Sequence, residues 1–119
     1  MEKLIITAAR AGAEATKEDN PALPVSPEEI AQSAYECRQA GASIVHLHVR
    51  KPDGAPTQDA EIFRRAIGLI EARSDAIIQV STGGAVGMTA EERLAPLALG
   101  PEMATLTTGS GNFINSSTI

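Results

Sequence analysis

A chain of 119 residues with 43% hydrophobic and 21% charged residues has the size and make-up of one modest globular domain that can bury a core. Its formal net charge of −5, with no run of lysine or arginine long enough to make a basic stripe, argues against nucleic acid as a partner. No stretch approaches the roughly twenty apolar residues of a membrane span, and Met1-Glu2-Lys3-Leu4 lacks the form of a secretory signal, so no membrane partner and a cytoplasmic location are expected.

Lys3-Leu4-Ile5-Ile6-Thr7-Ala8-Ala9 reads as a first strand, apolar on both faces like the strands of a covered parallel sheet. It is followed by a long loop from Arg10 to Val25, and loops of that length in compact domains usually carry function or are disordered. Ser26-Pro27-Glu28-Glu29 predicts a helix start, with serine as N-cap, proline at the first helical position and Glu29 closing a capping box. The helix should run to about Ala40, burying Ile30, Ala34 and Cys37, with Gly41 as its left-handed cap. Cys37, the only cysteine, excludes an intramolecular disulfide and reads as a small core thiol.

Ser43-Ile44-Val45-His46-Leu47-His48-Val49-Arg50 predicts the second strand and carries both histidines of the chain. Alternate side chains leave the same face of a strand, so His46 and His48 point one way while Val45, Leu47 and Val49 point the other. Two readings stand: a chelating pair for Zn²⁺ or another borderline divalent ion, or two half-buried rings satisfied by hydrogen bonds. Two adjacent polar rings in an aliphatic strand are costly to bury unless something coordinates them, which favours the metal.

Turn residues Lys51 to Pro56 lead to a helix from about Gln58 to Arg73, with Ile62, Phe63, Ala66, Leu69 and Ile70 on one face. Ala76 to Ser81 predicts strand three, ending in the glycine-rich run Thr82 to Gly87. Thr89-Ala90-Glu91-Glu92 is a second capping box, opening a short helix that Pro96 must end or bend. Strand four is expected over Met103 to Thr108, running into Gly109-Ser110-Gly111-Asn112-Phe113 and a polar end at 115–119.

Strands recurring at roughly thirty-residue intervals with helices between them argue for parallel strands and helical crossovers, in either a doubly wound sheet or a barrel. Glu14, the histidines, Ser81-Thr82 and Thr107 to Asn112 all fall at or beyond the C-terminal ends of strands, the face that carries the active site of a (β/α)₈ barrel. A whole barrel needs about 250 residues, so the fold class expected is α/β, with residues 1–119 forming the first half of a (β/α)₈ barrel, strands in sequential order and helices outside. The Ser81-Thr82-Gly83-Gly84 turn offers hydroxyls and backbone N–H groups to a phosphate or carboxylate, or is a plain connecting turn. Thr105 and Thr107 are ambiguous because threonine is a good strand former, and Glu14 reads equally as a solvated loop acid.

The strings Leu4 to Ala9 with Gly12-Ala13-Glu14, His46-Leu47-His48-Val49-Arg50, Ile78 to Gly87, and Arg93 to Leu99 through Pro101 to Leu106 together resemble the β-keto acid cleavage enzymes. The likeness is strongest to the branch acting on 3-keto-5-aminohexanoate in lysine fermentation. The resemblance implies a zinc-dependent (β/α)₈ transferase, assembled as a homo-oligomer, that cleaves a β-keto acid with acetyl-CoA to give acetoacetate and a new CoA thioester. It implies His46 and His48 as zinc ligands, Glu14 as the group that meets the amine of the keto acid, and Ser81 as the catalytic serine. Ser81 and Gly84 would hold the substrate carboxylate or the reacting carbonyl, with Thr105 and Thr107 lining the same pocket. The third zinc ligand, a glutamate, and the neighbouring aspartate and arginine are implied to lie in a second half-barrel outside this chain. Two other readings remain: a barrel fragment without activity of its own, and a small anion- or nucleotide-binding module built on the Ser81 to Gly87 turn.

Overall fold

In the computed structural model, which describes residues 1–109, the histidine strand β2 (Ile44–Leu47) lies inside the sheet. It pairs in parallel with β1 (Thr7–Ala9) on one side and β5 (Ile77–Val80) on the other, and β5 pairs in parallel with β6 (Met103–Ala104). Between β2 and β5 a small antiparallel hairpin, β3 (Val49–Arg50) with β4 (Pro56–Thr57), stands apart as a second sheet. The order β1-β2-β5-β6 is sequential, as in the first half of a (β/α)₈ barrel, and excludes the reordering of a doubly wound sheet.

Register sorts the side chains into two faces. Val45 and Leu47 stand beside Ile78 and Val80 on the side covered by helices α1 (Pro27–Gln39) and α2 (Ala60–Glu71). They pack there with Ile30, Ala31, Ala34, Phe63, Ala66 and Ile70 into one buried cluster. Ala9, His46, Gln79 and Met103 share the opposite face across all four strands.

The helix signals act as read. Ser26 Oγ accepts from the Glu29 N–H at 3.1 Å while the Glu29 carboxylate accepts from the Ser26 N–H, closing the capping box. At the other end Ala42 N–H donates to Cys37 O and Gly41 N–H to Arg38 O, with Gly41 at φ +114°, the bonding of a Schellman ending. Thr89 and Glu92 form the second capping box, and α3 (Ala90–Leu94) gives way to a 3₁₀ turn over Ala95–Leu99 at Pro96. Proline has no N–H to continue the α-helical ladder. α2 starts later than expected because Asp59 is its N-cap, accepting from the N–H groups of Glu61 and Ile62.

Four further expectations are corrected. The first strand is confined to Thr7–Ala9 and is not buried on both faces: Leu4, Ile5 and Ile6 are 82%, 71% and 45% exposed, because among the described residues β1 is an edge with a partner on one side only. The histidine strand does not run unbroken to Arg50. Beyond Leu47 its neighbours have ended, at Ala9 and Val80, and Val49 and Arg50 pair instead with Thr57 and Pro56. Strand four pairs only over Met103–Ala104, and its expected continuation past Gly109, including Asn112, lies outside the described residues. Cys37 is partly rather than fully covered.

The capping box predicts a pH response of α1. Backbone N–H groups of Val25 and Ser26, and then Lys17, hold the Glu29 carboxyl down at about 2, from an ordinary 4.5. A carboxylate with a depressed folded-state pKa contributes stability that is full above about pH 4.5 and is lost as the pH falls toward 2. Amide exchange in the first turn of α1 should therefore quicken across that window, and Glu29→Gln should flatten the response. Ser26→Ala should cost about 1 kcal/mol at neutral pH by urea unfolding.

Candidate active site

The residues singled out by chemistry come from four separate chain segments, and the sheet delivers all of them to one end. Glu14 lies in the loop after β1, His46 and His48 at the end of β2, Ser81 and Gly84 just past β5, and Thr105 and Thr107 past β6. Together with Ala13, Gly83, Ala85, Val86 and Arg93 they line a single cleft of about 310 Å³. Every side chain in the set is carried to the cleft by the C-terminal end of a parallel strand, the place where α/β folds of this kind bind ligands.

The histidines keep the two-residue alternation even though the strand breaks between them: both are half-buried, and their ring centroids are 5.0 Å apart at an interplanar angle of 71°. His46 is in register with Gln79, and its Nδ1–H donates to Gln79 Oε1 at 2.8 Å. A carbonyl oxygen can only accept, so that bond puts the proton on Nδ1 and leaves the Nε2 lone pair free. Burial, then the charges of His46 and Arg50, push His48 down to about 4 from 6.5, so its ring is neutral at pH 7. Two imidazoles side by side in one cleft suit a borderline divalent cation. Among the described residues no group of three or more His, Cys, Asp or Glu comes together, so the pair supplies two donors and Glu14 does not make a third.

The turn after β5 is rigid. Ser81 is buried, and its Oγ accepts from the Gly83 N–H at 3.1 Å, which leaves the hydroxyl proton available to a ligand. Thr82 is bound three ways to Thr105: its N–H and its Oγ1 meet Thr105 Oγ1, each at 3.0 Å, and its Oγ1 donates to Thr105 O at 2.9 Å. Thr105 is thus engaged with the turn as well as facing the cleft, while Thr107 is exposed at the rim. Gly84 has φ +57°, and a Cβ there would stand 2.8 Å from Met88 Sδ and 3.2 Å from Arg93 Cγ.

Sequence reasoning passed over three residues that build this site: Gln58, Arg93 and Arg50. Gln58 Nε2 donates to Ser81 O and Arg93 O, tying the end of β5 to α3. Arg93 donates to the carbonyls of Met88, Gly83 and Ala85 and so holds the glycine-rich turn from inside. Arg50 is 3% exposed and donates to Ala11 O, Gly12 O and Gly54 O. Burial lowers its pKa, and the charge of Glu14 acts to raise it. No periodicity marks such residues, since an arginine at an element end reads as a surface charge; Arg50 stood out only by sharing an otherwise apolar strand.

Sequential parallel strands, outer helices and a polar cleft at the C-terminal strand ends define an α/β chain of the (β/α)₈ type with its site on the ligand-binding face. The chain belongs to the beta-keto acid cleavage enzyme family, whose model matches residues 3–119. It is 63% identical over 114 residues to the 3-keto-5-aminohexanoate cleavage enzyme of Fusobacterium nucleatum subsp. nucleatum, a match covering 95% of this chain and 42% of that protein. It is 46% identical over 113 residues to the 3,5-dioxohexanoate:acetyl-CoA acetone transferase of Paraburkholderia graminis, covering 93% of this chain and 36% of that one. The apo structure of ObcA superposes with a TM-score of 0.58 at 26% identity, over 72% of this chain and 23% of that chain. The chain thus spans less than half the length of these relatives.

The turn geometry predicts an asymmetry between two glycines. Gly84→Ala adds a steric clash to the cost of a left-handed alanine, whereas Gly87 has φ +89° and nothing within 4 Å of its would-be Cβ. Urea unfolding should place Gly84→Ala at about 2–4 kcal/mol of destabilisation and Gly87→Ala at about 1 kcal/mol.

Proposed function

We propose that residues 1–119 form the N-terminal half of a zinc-dependent β-keto acid cleavage enzyme, with the remaining strands and helices supplied outside this chain. The reaction is acyl exchange between acetyl-CoA and a keto acid like 3-keto-5-aminohexanoate, giving acetoacetate and a new CoA thioester, in a cytoplasmic homo-oligomer serving lysine degradation. The observation that carries this reading is the convergence of Glu14, His46, His48, Ser81, Gly84, Thr105 and Thr107 on one cleft. Membership of the family and the activities for which these relatives are named support the reaction type.

His46 and His48 would hold the zinc, with the His46 tautomer fixed by Gln79 and His48 neutral by burial. When bound, zinc supplies the Lewis acidity that polarises the keto group and stabilises enolate charge. The protein's own groups do the rest. The Ser81 hydroxyl, with its oxygen already accepting from Gly83, donates to the substrate carboxylate or the reacting carbonyl. Gly84, kept free of a side chain by Met88 and Arg93, lets that group approach the backbone. Glu14 faces the cationic amine of the keto acid, and the Thr105 and Thr107 hydroxyls line the far wall.

The inner face of the sheet supports an external complement. Ile77 and Met103, which share that face with Gln79, are each 36% exposed, and among the described residues the outer edges of β1 and β6 are unpaired. Light scattering of the isolated chain should find it self-associated; a well-behaved monomer with a cooperative melt would contradict the half-barrel reading.

Two protein donors are one short of the three usual in a catalytic zinc site. Calorimetric titration should accordingly show residues 1–119 binding zinc more weakly than a three-donor site. His46→Ala and His48→Ala should each abolish that binding, and unchanged binding in both variants would leave the histidine strand as core and remove the chemical anchor of this function.

A further inference from the structure

We propose that Arg50 is the positioning residue that fixes Glu14 over the cleft, and that the enzyme's preference for an amine-bearing keto acid depends on it. The inference rests on the reading of Glu14 as the partner of the substrate amine.

Glu14 has no anchor of its own. It is exposed, and no hydrogen bond or ion pair of its side chain occurs among the described residues. It sits in a loop that leaves β1 at Ala9 and does not reach a helix until Pro27. A carboxylate on so long a span selects nothing unless its backbone is held. The holding occurs two residues upstream: Arg50 Nε and one terminal nitrogen both donate to Gly12 O, at 3.2 and 3.0 Å, and that nitrogen also meets Ala11 O at 3.3 Å. The other terminal nitrogen donates to Gly54 O at 3.0 Å, in the turn of the β3–β4 hairpin. One guanidinium therefore bolts the Glu14 loop to the strand that follows the histidines.

The type of residue matters. Arg50 is buried without a carboxylate in salt-bridge range, which is expensive for a cation, and its fork is filled by backbone carbonyls. A lysine offers one compact ammonium and cannot span Gly12 and Gly54 with the same planar geometry. Among the described residues, Glu14 is the acidic group whose charge acts on Arg50. Loop and carboxylate are thus drawn to the same point by bonds to the backbone and by charge.

The test uses the full-length enzyme that contains this chain, with 3-keto-5-aminohexanoate and 3-ketohexanoate, which lacks the amine, as paired substrates. Glu14→Gln should lower the preference for the amine substrate, seen chiefly in KM. Arg50→Lys should lower it about tenfold, also through KM, and the double variant should lose no more than the larger single loss. In parallel, amide exchange at residues 10–14 should speed about tenfold in Arg50→Lys while the interiors of α1 and α2 keep their protection. Should Arg50→Lys fail to fold, Gly54→Ala disturbs only the hairpin end of the clamp and should give a smaller loss of the same kind. Arg50→Lys with unchanged preference and unchanged loop exchange overturns the inference. If Glu14→Gln leaves the preference intact, the amine reading fails, and loop exchange in Arg50→Lys then decides alone whether Arg50 positions Glu14.

Discussion

The alternation of side chains along β2 governs the rest of the structure. Val45 and Leu47 enter the helix-covered core, and Ile44 and His46 face the other way with Gln79 alongside. A slip of one residue would reverse every assignment, sending His46 among Phe63 and Ile70 and Leu47 into the cleft. Burying side chains of the size of Val45, Leu47 and Val80 is worth about 1.5–3 kcal/mol each, so the hydrophobic half of the strand holds the polar half in place. Helix packing and the placement of the two imidazoles are set by the same eight-residue stretch, with neither independent of the other.

Around that strand the loops are held by cations that bond to backbone. Arg50 gathers the loop after β1, and Arg93 gathers the turn after β5, each through carbonyl oxygens rather than carboxylates. Surface pairs such as Arg38–Asp75 and Lys17–Glu29 are solvated and contribute little by comparison. The pattern has a chemical logic. Glycine-rich and proline-rich loops have few side chains with which to pack, so a guanidinium with five donors, buried at Arg50 and half-buried at Arg93, supplies the order that apolar contacts cannot.

Much of this was legible from residue pattern. Both capping boxes, the Gly41 ending, the stripe of Phe63, Ala66 and Ile70 and the face shared by the two histidines follow from local rules that tertiary context left undisturbed. Strand lengths were not legible, because Leu4 to Ile6 and Thr105 to Thr108 have strand-like composition but fall outside the paired registers, with only Ile6 and Thr105 still bonded through the backbone to the next strand. The hairpin at Val49 was hidden for the same reason: composition does not say where the flanking strands stop. Arg50, Arg93 and Gln58 were invisible as site builders since their roles depend on which carbonyls the fold brings to them.

The proposal on which the function turns is that His46 in β2 and His48 just beyond it hold one metal ion together. X-ray absorption at the zinc edge, on this chain loaded with less than one equivalent of zinc, tests it directly. The account predicts nitrogen or oxygen scatterers at about 2.0–2.1 Å with the outer-shell pattern of two imidazoles, reduced to one at most in His46→Ala and in His48→Ala. A spectrum with oxygen scatterers alone, or one unchanged by either substitution, would contradict it.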